Sequence, residues 1–405
     1  MKFDGIVIGG GPAGMFAAIT AAQRGCKVLL LEKNAGVGKK LLITGKGRCN
    51  VTNNCAAADV LVNVPRNPRF LYSALMAFPP ERIISFFEEN GCPLKTERGN
   101  RVFPVSDKAA SILDCLKASL KRYSVTVKTA NVQHILVDDG CACGVSTDQG
   151  EIPAGWVILA TGGMSYPTTG SDGAGFRMAE ALGHTIVTPT GSLVPLESNN
   201  DCKAMQGLSL RNVGVKLVDA KGKTLFEDFG ELLFTHFGVS GPTVLSASAH
   251  LKGEDCCLRI DLKPALDENK LNSRLLRDLE QYKNRTMENA LTDLLPRTMI
   301  PVILKRAGID PALQANSLKK ECRKALINQL KGFTVPVYGK RPVEEAIVTS
   351  GGIDVSLIQP KTMESKLIQN LYFAGEIIDC DAYTGGFNLQ IAWSTAYAAG
   401  MSVKL

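Results

Sequence analysis

The sequence predicts an α/β fold in which one parallel sheet is assembled from both ends of the chain, with a β-rich insert and a helical insert between them. Three observations predict it. An apolar β-branched run, a glycine triplet and a small-residue helical run follow one another in "IVIGGGPAGM", residues 6–15. Strand-like runs that end in glycine return much later, in "VILATGG" (157–163) and "LYFAGEIID" (371–379). In between, the composition changes twice, first to short alternating runs and then to leucine-striped helix.

The elements follow in order. Residues 4–8 read as a strand, 12–24 as a helix closed by Gly25 at its C′ position, and 27–31 as a second strand ending at Glu32. A loop rich in glycine and cations comes next, "KNAGVGKKLLITGKGRCNVTNN", then a helix opened by Pro79-Pro80 and another over 107–123. Residues 125–159 alternate and are broken by Asp-Asp-Gly and Asp-Gln-Gly, which predicts an antiparallel meander feeding one last buried strand. Leu271, Leu275, Leu276 and Leu279 share one helical stripe, and "SLKKECRKALINQLKG" repeats the pattern with its cations outward. Short β runs return after 343, and "GGFNLQIAWSTAYAAG" predicts a closing small-residue helix. The expected division is a discontinuous nucleotide domain (1–190 and 345–405), a β-rich, barrel-like insert (191–263 and 333–344) and a helical insert (264–332).

With 405 residues, 45% hydrophobic and 21% charged, the chain can bury a large core. A net charge of +7 spread over that length gives no general case for nucleic-acid or anionic-membrane binding. Twelve cysteines offer no paired C-x-x-C units, so no metal site is expected. The first apolar stretch lacks a basic n-region and a cleavage site, and no uninterrupted apolar span is long enough for a membrane, so a cytoplasmic chain with reduced thiols and no membrane insertion is expected.

In Gly9-x-Gly11-x-x-Gly14 the first glycine allows the turn, the second lets a pyrophosphate approach the backbone, and the third lets helix pack on strand. Pro12 and Ala13 open the helix, whose N-terminal N–H groups face the phosphates. Glu32, at the end of the second strand, can accept hydrogen bonds from both ribose hydroxyls. This is the pattern of a Rossmann-like dinucleotide site. FAD and NAD are distinguished only by the later motifs. Both "VILATGG", containing Ala160, Thr161 and Gly162, and "LYFAGEIID", containing Gly375 and Glu376, resemble motifs of FAD-binding flavoproteins related to glutathione reductase and fumarate reductase. In such proteins a following helix points its N-terminus at the flavin, and here that helix begins near Gly386 and Asn388. A helix N-terminus stabilises the negative charge of a reduced flavin.

Four long motifs carry a closer likeness: "GKKLLITGKGRCNVTN", "ATGGMSYPTTGSDGAGFRMAEALGH", "ELLFTHFGVSGPTVL" and the segment from "TMESK" to "TAYAAG". Over nearly its whole length the chain resembles the BaiN-like, or YhiN, family of NAD(P)/FAD-dependent oxidoreductases. The resemblance implies an FAD domain, a β-barrel-like domain and a helical domain. It also implies that Lys33, Lys40, Thr44, Gly45, Arg48, Cys49 and Asn50 join the glycines, Glu32 and Glu376 around FAD. Lys39, Lys40 and Lys46 make this loop cationic, which suits a pyrophosphate, although each single lysine could equally belong to a solvated loop. Cys49 has no C-x-x-C partner and reads as a small buried residue beside the cofactor.

No pattern announces a catalytic base. His236, in "LFTHFGVSGP", is a candidate proton donor. Tyr166 and Tyr383 flank the two flavin-side loops and are candidates of the same kind. Each could instead be structural. No second strand-GxGxxG-helix unit follows Gly14, so NAD(P)H is expected as a transient reductant that docks where a substrate would. The expected activity is transfer of a hydride from NAD(P)H through FAD to a small organic substrate, with an activated C=C bond as acceptor. The alternatives are an oxygen-using oxidase of an amine-type substrate and a flavin-bearing RNA-binding or redox-sensing protein. Oligomeric state is left open.

Overall fold

The computed structural model describes residues 2–251 and 255–405. The chain divides into two compact units, the first made of residues 1–192 and 343–405 and the second of 193–342.

The first unit is organised by a five-stranded parallel sheet of β1 (Gly5–Ile8), β2 (Val28–Glu32), β3 (Thr126–Thr129), β4 (Trp156–Leu159) and β5 (Leu371–Phe373), in the order β5-β4-β1-β2-β3. Chain direction reverses its sideways progression between β1 and β4, so the crevice beyond their carboxyl ends is a topological switch point. β1, β2 and β4 are buried on both faces, which is why their sequence reads as continuous apolar runs. Gly5 is required inside this sheet because a Cβ there would lie 2.0 Å from the Trp156 ring.

Two small-residue helices cross the sheet: α1 (Pro12–Gln23) and α2 (Phe387–Ser402), the second from the far end of the chain. Their alanines and Gly400 permit close contact, since a Cβ on Gly400 would sit 2.8 Å from the Ala17 carbonyl oxygen. Trp393 Nε1 donates to Val51 O (2.9 Å) and Thr52 Oγ1 donates to Gln390 Oε1 (2.6 Å), so α2 also fixes the loop after Glu32. Between Glu32 and Pro79 the chain forms three helices that the sequence pattern does not predict, Lys39–Ile43, Ala57–Val62 and Pro68–Ala77.

The meander expected over 125–159 is only partly antiparallel. Its first run, β3, pairs in parallel with β2, while Val132–Asp138, Cys141–Thr147 and Gly150–Pro153 form a separate antiparallel sheet. β3 is exposed along its length, so it lacks the apolar run that marks a buried parallel strand.

The second unit is a seven-stranded antiparallel sheet with helices. Its terminal strands in sheet order, Phe333–Val337 and Gly339–Lys340, are almost consecutive in the chain, so the sheet curls back on itself as a barrel-like sheet must. Helices Glu268–Gln281 and Lys320–Lys331 bury Leu271, Leu275, Leu326 and Leu330 in the same core as Val215, Phe234, Leu258 and Phe333. The sequence reading separated a β-rich from a helical insert. One shared apolar core makes them a single unit.

Candidate functional site

The site grows from the β1–α1 turn. Gly9 takes a left-handed φ of +104°, and a Cβ there would lie 2.5 Å from Ala160 O at the end of β4. A Cβ on Gly14 would lie 1.8 Å from Gly9 O. Both glycines are therefore demanded by the chain's own backbone. Gly11 is different: its φ of −76° is ordinary and nothing lies within 4 Å of the place its Cβ would take. Nothing inside the protein requires glycine there. Gly11 caps α1 and Pro12 occupies its first turn, so this open space lies at a helix N-terminus, where an anionic group is favoured.

Glu32, at the carboxyl end of β2, faces this turn. Its Oε2 accepts from the Gly10 N–H at 2.7 Å, and its Oε1 accepts from the Asn34 N–H (2.8 Å) and Nδ2 (2.7 Å). All of these donors are uncharged. Asn34 is not among the sequence candidates, and only its position two residues past the acid marks it.

A second acid sits beyond β5. Glu376 accepts from Lys40 Nζ at 2.7 Å on Oε2, and from the Thr349 N–H (2.7 Å) and Ser165 Oγ (3.1 Å) on Oε1. Lys40 Nζ also donates to Ser165 Oγ (2.7 Å). Burial by itself would raise the Glu376 pKa. The Lys40 charge and the hydrogen bonds from Lys40, Thr349 and Ser165 outweigh it and hold the carboxyl below its ordinary range. Four segments thus meet at one carboxylate, and Ser165 and Thr349 were not among the sequence candidates.

Asn50 Oδ1 and Thr161 Oγ1, on the loops after β2 and β4, are two of five buried side-chain polar atoms among the described residues that have no hydrogen-bond partner within the protein. Orphans of this kind fit a bound polar ligand. Gly162 (φ +74°) and Gly375 (φ +78°) shape the loops after β4 and β5, and a Cβ on Gly375 would lie 2.7 Å from the Ala13 Cβ. Gly386 (φ +99°) caps α2, with the Thr52 backbone 2.4 Å from its missing Cβ. Open space at Gly11, an uncharged setting for Glu32 and two orphaned acceptors together fit a dinucleotide cradle.

Several expected cofactor partners also have partners within the chain. Lys33 pairs with Asp172 at 2.8 Å. Arg48 bonds Glu97 and Asp107 and stacks 4.1 Å from the Phe103 ring centre. Asn388 accepts from the Ala382 N–H (2.9 Å) and donates to Ala382 O (2.7 Å), bracing the loop before α2. Thr44 Oγ1 donates to Leu41 O, and Gly45 leaves room for the Asn50 N–H, 2.9 Å from where its Cβ would be. Cys49 is buried, and desolvation pushes its thiol up to about 12 despite a hydrogen bond with Thr44.

Of the candidate donors, Tyr166 is half-buried on the loop after β4 with a left-handed φ of +54°. Tyr383 lies on the loop after β5, its N–H donating to Asn63 O at 3.0 Å. His236 belongs to the second unit, where it is exposed and packs edge-on against Phe237. No group of three or more His, Cys, Asp or Glu among the described residues is arranged to hold a metal. No helix of the described residues is long and apolar enough to cross a membrane.

A family model described as "HI0933-like protein Rossmann domain" matches residues 3–402. The chain is 32% identical over 407 residues to the 3-dehydro-bile acid delta(4,6)-reductase of Clostridium scindens, covering 97% of each. It is 30% identical over 409 residues to the ribosomal RNA dihydrouridine synthase of Escherichia coli, covering 99% of this chain and 98% of that one. Among solved structures, the 3-ketosteroid delta1-dehydrogenase of Sterolibacterium denitrificans shares the fold, with a TM-score of 0.53 at 13% identity and 99% of both chains covered.

Proposed function

The chain belongs to the HI0933-like family, and on that premise we propose that it is an FAD-dependent oxidoreductase that passes a hydride from NAD(P)H to an activated ring carbon–carbon double bond. The observation that carries the reading is the open space at Gly11 between two glycines that the backbone itself demands. The names of the two full-length relatives also share one kind of chemistry, saturation of a ring double bond.

In this reading the Gly11 backbone and the N-terminus of α1 meet the pyrophosphate. Glu32 accepts from ribose hydroxyls, and Asn50 Oδ1 and Thr161 Oγ1 find their missing donors on the cofactor. FAD, when bound, supplies the two-electron chemistry that no side chain of the protein can supply. The unsatisfied N–H groups of the first turn of α2 stabilise negative charge at that end of the site, and Asn388 keeps the turn rigid through Ala382. Tyr166 and Tyr383, on the loops after β4 and β5, are the proposed proton donors to substrate.

Anaerobic mixing of the yellow holoprotein with NADH or NADPH tests the reading. Bleaching of the flavin band, reversed by an enone-type steroid or by uridine-containing RNA, supports it and identifies the substrate class. A flavin left oxidised by both nucleotides contradicts the NAD(P)H link. Hydrogen peroxide released in step with an amine substrate would point to the oxidase alternative.

A further inference from the structure

We propose that the tip of the hairpin formed by Leu94–Glu97 and Arg101–Pro104 is a phosphate site that receives the dinucleotide phosphates of the nicotinamide donor. The inference rests on the reading above, in which such a donor reduces the bound flavin.

Its placement is fixed by one side chain. Asn53 Nδ2 donates to Gly99 O at the hairpin tip (3.0 Å) and to Gly385 O (3.1 Å), one residue before the cap of α2. The strand Thr52–Asn53 pairs with Val102 and Arg101, and the Thr52 backbone lies against Gly386. The tip is therefore built onto the N-terminal end of α2, the end assigned to the flavin ring.

The charge there is unbalanced. Lys95 and Arg48 are bonded to the two local carboxylates, Glu97 and Asp107. Lys46, Arg98 and Arg101 are exposed and have no ion-pair partner among the described residues. Arg101 Nε donates to Arg98 O (3.0 Å), and Arg101 and Arg48 lie 5.9 and 4.1 Å from the same Phe103 ring centre, which holds hairpin and loop as one patch. Three unmatched cations suit the phosphates of a single dinucleotide. A nucleic acid would call for a wider field, about 6–10 phosphate contacts. The absence of a second glycine-turn motif after Gly14 leaves a surface site as the route for the donor.

The test uses the holoprotein with Arg98→Glu and Arg101→Glu as separate variants. The expected result is a rise of about tenfold or more in the NADP⁺ dissociation constant by calorimetry and in KM for the reductant, with a weaker salt dependence than wild type. Flavin content and reduction by dithionite stay unchanged. Unchanged NADP⁺ binding in both variants, or loss of poly(U) binding in place of NADP⁺ binding, overturns the site. A wild-type flavin that neither nucleotide reduces overturns the proposed function and this site together, whereas equal reduction of wild type and variants overturns the site alone.

Discussion

Glu32 and Glu376 stand at corresponding places, each at or just beyond the carboxyl end of a parallel strand, yet their surroundings differ in kind. Glu32 is held only by uncharged donors, Gly10 and Asn34, and has no ion pair among the described residues. Glu376 is tied to Lys40, Ser165 and Thr349, from three segments far apart in sequence. A carboxylate among neutral dipoles keeps its charge available for hydroxyl donors, so Glu32 is suited to recognition. One matched to a half-buried cation is suited to holding a fold together. Similar sequence signals, an acid after an apolar strand, thus mark a carboxylate among neutral donors at one end of the chain and an ion-paired knot at the other.

Substitutions can break that contrast. The largest effect is expected at the turn beside Glu32: Gly14→Ala forces a Cβ onto Gly9 O and should cost about 3 kcal/mol or more of stability, read as a clear fall in melting temperature. Gly11→Ala, three residues earlier, should melt like wild type and lose FAD affinity, because only the ligand needs that space. Next comes the knot. Lys40→Met leaves Glu376 half-buried without its cation and should destabilise by about 1–3 kcal/mol, less than for a fully enclosed pair because both side chains retain 21% accessibility. Lys40→Met/Glu376→Gln should recover part of that loss in a double-mutant cycle.

Glu32→Gln should leave melting nearly unchanged while weakening FAD binding by about tenfold, the loss of one charge-assisted contact. The two acids also separate by pH. Folding lowers the Glu376 pKa beneath its ordinary value near 4.5, so the unfolded chain binds that proton more readily. The stabilisation is complete above about pH 5 and is lost as pH falls through the folded-state value, and Lys40→Met should flatten that slope in acid melting curves. The smallest effect is expected at Cys49, whose thiol, pushed to about 12 by burial, should resist alkylation in the native protein at pH 8.

What could be read from sequence follows the range of the interactions involved. The β1–α1–β2 unit, Glu32 and the small-residue closing helix are written in local pattern, and the structure contains all of them. The Glu376 knot is not local. Ser165 and Thr349 are ordinary loop and strand residues until contacts spanning 211 and 27 positions bring them to the carboxylate. Arg48 is another non-local case: its bonds to Glu97 and Asp107, from a distant hairpin and helix entry, have no mark in the loop that carries it. β3 was misread because an exposed edge strand carries no apolar run. Composition changes at the boundary between β-rich and helical inserts, while the apolar core that their strands and helices share leaves no mark in local pattern.

The central claim is that residues from both ends of the chain close around one FAD. Hydrogen exchange of the apoprotein during titration with FAD tests it most directly. Saturation is expected at one equivalent per chain, with protection rising together in residues 9–14 and 374–388. Protection confined to one of these segments, or no binding at all, would contradict it.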